Sequence, residues 1–199
     1  ALVAIVLVGV ASFLPAVKNA PPKKGPAAAT KEAPATPEPA APGAPAPALL
    51  TIVLADYFQA PTFRGDIRPR DWDWYPSRIE TAVDRWLDLL ERHHARATWF
   101  VLGWQAARHP DLVRRIAAQG HEIACGPHQA LDTRRLTPAQ FREDVKNAKD
   151  AVENACGQEV RGFRGPNLFP GRSLTTLLET LAEFGFRYDS SSDADTAAR

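Results

Sequence analysis

Asp56, Cys125 and His128 are the residues whose types suit chemistry and whose positions suit convergence. A carboxylate, a thiolate and an imidazole are donors that hold a metal such as zinc, and a metal with one open position polarises a carbonyl and activates water. Asp56 and His128 are candidate metal ligands that would bind weakly as a pair, and Cys125 would supply a third donor. The alternative is a solvent-facing loop histidine beside a small buried cysteine. Aromatic residues form a second group: Tyr57, Phe58 and Trp104 fall near predicted strand ends, and Trp72, Trp74 and Tyr75 precede a predicted helix. Flat rings stack on sugar faces and fill cores equally well, so Tyr57 and Trp104 are candidate substrate-binding residues with packing as the competing role. His93, His94 and His109 lie at predicted helix ends, where a boundary position accounts for them.

The elements that must position these residues begin after Leu49. The 18 prolines in 199 residues are too many for one packed fold, and most precede that point. Residues 1–19 open with the apolar run ALVAIVLVGVASFLPAV and are expected to be a membrane-targeting segment, either signal peptide or anchor. Residues 20–48 are rich in Pro and Ala and are expected to be a disordered tether. Residues 49–199 form the predicted folded domain. The chain has no methionine and starts at Ala1, which leads us to expect a fragment at its N-terminus.

Within the domain, Leu50–Leu54, Ala97–Leu102, His121–Cys125 and Val160–Phe163 read as buried strands. Ser77 and Glu80 predict a capping box for a helix with Ile79, Val83, Trp86, Leu87 and Leu90 on one face. Thr137 and Gln140 predict another, whose helix ends at Gly157. Pro110–Gln119 and Ser173–Phe184 complete the helices, stopped by Gly120 and Gly185. Strand and helix alternate as far as Tyr188, which implies an α/β fold of parallel strands joined by helical crossovers. Chemistry then belongs at the C-terminal strand ends, here Ala55–Tyr57, Gly103–Trp104, Cys125–His128 and Arg164–Pro166.

A formal net charge of +1 without a block of like charges excludes an electrostatic footprint for nucleic acid. Two cysteines, Cys125 and Cys156, make neither a disulfide framework nor a zinc finger. Their predicted places at opposite ends of a sheet leave both unpaired.

The segments TIVLADYFQ, ATWFVLGWQAARHPDLVRRIAAQGHEIA, GFRGP and GFRYDSS occur in this order. Together they resemble the polysaccharide deacetylases of the NodB type, in the branch associated with exopolysaccharide clusters. The resemblance spans Thr51 to Ser191 and implies an incomplete NodB-like (β/α) barrel. It also implies removal of acetyl groups from N-acetylated polysaccharide by a divalent metal, held by one carboxylate and two histidines, with a second carboxylate as base.

This sequence departs from that pattern. Gly126 and Ala130 stand where the two histidines belong, and Val53 and Ala55 stand where acids are expected, leaving Asp56. By resemblance, Arg164 corresponds to an arginine that orients the catalytic base, here expected to pair with Asp56 or to brace loops. Asp189 corresponds to an acid supporting a catalytic histidine, and His121 to a structural position within a strand. The sequence therefore predicts an extracytoplasmic, membrane-anchored or secreted homologue that acts on or binds N-acetylated glycan with impaired catalysis. A zinc or other divalent ion is implied only if the site is rebuilt. The alternatives are an active de-N-acetylase with such a rebuilt site and a non-catalytic glycan-binding or export-partner module.

Overall fold

The computed structural model describes residues 12–13, 49–129, 132–166 and 172–191, with the side chains of residues 12–13, 134 and 172–176 excepted. Most of the apolar N-terminal run, the whole Pro/Ala-rich segment and Ala130 lie outside these residues. Among the described residues no helix is long and apolar enough to cross a membrane.

Six strands form one sheet in the order β1-β6-β5-β4-β3-β2. They are β1 (Ser12–Phe13), β2 (Thr51–Leu54), β3 (Thr98–Val101), β4 (Glu122–Cys125), β5 (Gly162–Phe163) and β6 (Tyr188–Asp189). Strands β2 to β6 are mutually parallel, while β1 adds antiparallel to the edge of β6, pairing Ser12 with Asp189. The parallel strands and intervening helices follow the predicted alternation, and among the described residues the sheet does not close into a barrel. Helices α1 (Ile79–Arg92), α2 (Gly103–Arg108), α3 (Pro110–Ala118), α4 (Pro138–Cys156) and α5 (Arg172–Glu183) occupy the crossovers.

Continuous apolar strands suit a sheet covered by helices. Ile52, Leu54, Trp99, Val101, Ile123 and Cys125 join Val83, Leu87, Val145 and Val152 from the helices in one buried cluster. Helix α4 follows its predicted signals. Thr137 Oγ1 accepts from Gln140 N at 3.3 Å, Gln140 Oε1 accepts from Thr137 N at 2.9 Å, and Gly157 ends the helix with φ of 72°, a left-handed conformation that favours glycine.

Two expectations need correction. Strand β5 is shorter than Val160–Phe163 because the Val160 amide donates to Glu153 Oε1 at 2.9 Å instead of joining the ladder. Helix α1 has no Ser77–Glu80 capping box: Arg78 holds the N-cap position without a side-chain cap. Ser77 Oγ donates to Asp56 Oδ2 at 2.6 Å, and Asp56 also accepts from Arg78 N at 3.1 Å. The start of the helix is thus tied to a carboxylate at the end of β2.

Candidate functional site

The C-terminal ends of β2, β3, β4 and β5 surround a cavity of about 140 Å³. Its wall includes Val53, Ala55, Asp56, Gly126 and Arg164, which brings together the end of β2, the loop after β4 and the residue after β5. Most of the remaining lining is apolar, including Phe100, Leu102 and Pro127.

Asp56 is 4% exposed, yet its oxygens are already engaged. They accept from Tyr57 N at 2.9 Å, Ser77 Oγ at 2.6 Å and Arg78 N at 3.1 Å. Asp56 also opens the 3-10 turn Tyr57–Gln59, where Gln59 Oε1 accepts from Asp56 N at 2.9 Å. This carboxylate fastens its own turn to the Ser77–Arg78 segment and offers few lone pairs to a cation.

Arg164 does not pair with Asp56. Its side chain crosses the face of Phe100, 4.3 Å from the ring centroid, and its Nη1 donates to Thr51 Oγ1 at 3.0 Å. Nε and Nη2 donate to Ser190 Oγ at 3.1 and 2.5 Å. With Val53 on β2 and Ala55 just after it no carboxylate meets it there, so the guanidinium settles on hydroxyl and carbonyl oxygens. Burial holds its pKa below the ordinary arginine value.

Asp189 is fully buried and accepts from Ser191 Oγ at 2.5 Å and Ser191 N at 3.0 Å. Burial raises its pKa against the opposing pull of those bonds and of Arg164.

His128 belongs to a different neighbourhood. Its backbone N donates to Asp144 Oδ2 at 2.9 Å, its carbonyl accepts from Trp104 N at 3.0 Å, and its ring lies against Gly103. It does not line the cavity that holds Asp56. Cys125 is buried, and burial pushes its thiol pKa far up; both Cys125 and Cys156 are free. Among the described residues no three His, Cys, Asp or Glu side chains are grouped to hold a metal. The donors present therefore do not fit the metal that the sequence resemblance implies. Gly126 contributes only backbone at the cavity wall.

The candidate aromatics form one cluster. Phe58 meets Trp104 edge-on at 6.0 Å between centroids and Trp72 at 6.2 Å, and Trp72 meets Trp104 at 5.3 Å. Tyr57 is half-buried under the Arg78 guanidinium, and Trp104 is half-buried under Arg108. Trp72 is 4% exposed whereas Trp74 is 83% exposed. A second cavity of about 440 Å³ runs beside this cluster and shares Gln59 and Arg64 with the first. Sequence reasoning missed Thr51, Gln59, Arg64, Ser77 and Ser190. The alternation of β2 could have flagged Thr51, which lies on the same strand face as Val53, but Ser77 read as a helix cap.

The polysaccharide deacetylase family model matches residues 71–188. A chitooligosaccharide deacetylase from Bradyrhizobium is 40% identical over 81 residues, covering 40% of this chain and 37% of that protein. A peptidoglycan-N-acetylglucosamine deacetylase from Bacillus cereus is 28% identical over 80 residues, covering 40% of this chain and 29% of that one. A family 4 carbohydrate esterase from Streptomyces lividans superposes with a TM-score of 0.50 at 27% identity, covering 56% of this chain and 55% of that structure. A Mycobacterium smegmatis polysaccharide deacetylase homologue gives a TM-score of 0.55 at 26% identity, covering 68% and 47%. The chain spans little more than a third of the Bradyrhizobium protein it resembles.

Proposed function

The chain belongs to the polysaccharide deacetylase family, and on that premise we propose that it binds N-acetylated glycan at the strand-end cavity without family-type metal-assisted hydrolysis. The observation that carries this reading is the commitment of Asp56 to Ser77 and to the Tyr57 and Arg78 amides, in a cavity where Gly126 supplies no donor side chain. An acetamide is a poor electrophile, and attack by water at neutral pH needs both polarisation of its carbonyl and a base. The apolar positions Val53 and Ala55 offer no base beside Asp56. The exposed Trp74 supplies a flat face suited to sugars, while Tyr57 and Trp104 each have one face covered by a guanidinium.

In this reading the domain works outside the cytoplasm, anchored or secreted through residues 1–19 and spaced by residues 20–48. The apolar run and the Pro/Ala-rich composition support that placement. The test is to measure zinc content, acetate release from chitotetraose and chitotetraose binding on the purified protein. Binding without stoichiometric zinc or acetate release is the expected result. Turnover with stoichiometric zinc overturns it in favour of an active de-N-acetylase with a rebuilt site.

A further inference from the structure

We infer that the strand-end cavity receives a carboxylate-bearing sugar, whose anionic group is held by Arg164. The inference rests on the glycan-binding reading and specifies which glycan. Thr51 and Val53 alternate onto one face of β2. That face looks toward the guanidinium, because Thr51 Oγ1 accepts from Arg164 Nη1 and Val53 is the register partner of Phe100, whose ring underlies Arg164. An acid at position 53 would therefore meet Arg164, and the chain has valine there. Among the described residues the hydrogen bonds of Arg164 end on the neutral oxygens of Thr51 and Ser190.

The nearby acids are otherwise engaged. Asp56 is held by Ser77 and two amides, and Asp189 is held by Ser191 while attracting Arg164 at longer range. Arg164 brings its positive charge to the cavity wall, while Asp56 on the same wall is taken up by Ser77 and the Tyr57 and Arg78 amides. The largely apolar remainder of the wall lowers the local dielectric, which strengthens a guanidinium–carboxylate contact relative to the same contact in bulk solvent. The neighbouring cavity beside Phe58 and Trp72, which shares Gln59 and Arg64, is placed to take the rest of the sugar chain.

Calorimetric titration with three tetrasaccharides tests this. The probes are one of alternating N-acetylglucosamine and glucuronate, its methyl ester, and chitotetraose. The acid form should bind about tenfold or more tightly than its ester, since the ester removes a charge-assisted hydrogen bond. Val53→Asp, which places a carboxylate on the face that meets Arg164, should abolish that preference while the far-ultraviolet circular dichroism is retained. Retained preference in folded V53D overturns the inference. If V53D does not fold, the comparison of acid and ester on the unaltered protein decides alone. Equal binding of all three probes overturns the inference and leaves the glycan reading standing. Binding of the acid form alone upholds the inference and removes chitooligosaccharide as the ligand, and binding of none overturns both.

Discussion

Replacing Asp56 with alanine separates a structural carboxylate from a catalytic one. The substitution removes the acceptor for Ser77 Oγ at 2.6 Å, Tyr57 N at 2.9 Å and Arg78 N at 3.1 Å. Hydrogen bonds to a charged group contribute roughly 1.5–3 kcal/mol each, but these three share one carboxylate and the freed amides are partly reachable by water. A net loss of about 3 kcal/mol is therefore expected, well short of the sum. At roughly 2–4 °C per kcal/mol for a domain of this size, the melting temperature should fall by about 6–12 °C. Urea unfolding followed by tryptophan fluorescence, with and without zinc and with chelator, gives the free-energy difference directly. Metal should make little difference to either protein. A D56A variant within about 0.5 kcal/mol of the unaltered protein, the scale of ordinary surface substitutions, refutes the clamp. So does zinc that stabilises the unaltered protein and fails to stabilise D56A.

Gly126→His reinstates a donor at the cavity wall. A Cβ there would lie 3.3 Å from the Val101 carbonyl oxygen, a tight approach that local adjustment absorbs at a cost of about 1–3 kcal/mol. Equilibrium dialysis should show no stoichiometric zinc, because Asp56 remains engaged. Asp189→Asn tests a buried acid. Burial raises the folded-state pKa of Asp189, so the folded protein binds a proton that the unfolded chain has released. Its contribution to stability is present at low pH and is lost as pH rises from the unfolded value through the raised folded value. Relative to the unaltered protein, D189N should therefore be more favourable at pH 7 than at pH 4, as read by urea unfolding at both.

The fold was legible because its signals were redundant. Apolar strands of four to six residues, amphipathic helices and the Gly120, Gly157 and Gly185 stops all pointed to one alternating α/β pattern, and these glycines have positive φ. The cap of α4 was legible because both of its partners are local, Thr137 and Gln140. The start of α1 was not, because the group that ties down Ser77 and Arg78 is Asp56, more than 20 residues earlier in the chain. The same limit governed the site. The family resemblance implied that Gly126, Val53 and Ala55 stand where metal donors or a base are expected, but where Arg164 would turn instead depended on Thr51, 113 residues away. His128 could be assigned to the loop after β4, but its separation from the cavity depended on the contact of α2 with α4.

That contact fixes the loop that carries His128. A Cβ on Gly103 would stand 2.6 Å from Ala148 Cα and 2.6 Å from His128 Nδ1, so the two helices and the histidine occupy one space without slack. The Gly103 and Trp104 amides donate to the carbonyls of Pro127 and His128, and Asp144 holds the His128 amide. The loop that would have to move to carry His128 toward Asp56 has become a wedge in the packing of its neighbours. Interior packing at crystal-like density resists such displacement. With the loop serving as mortar between two helices, bringing His128 to Asp56 means rebuilding the wall around it as well as changing the side chains.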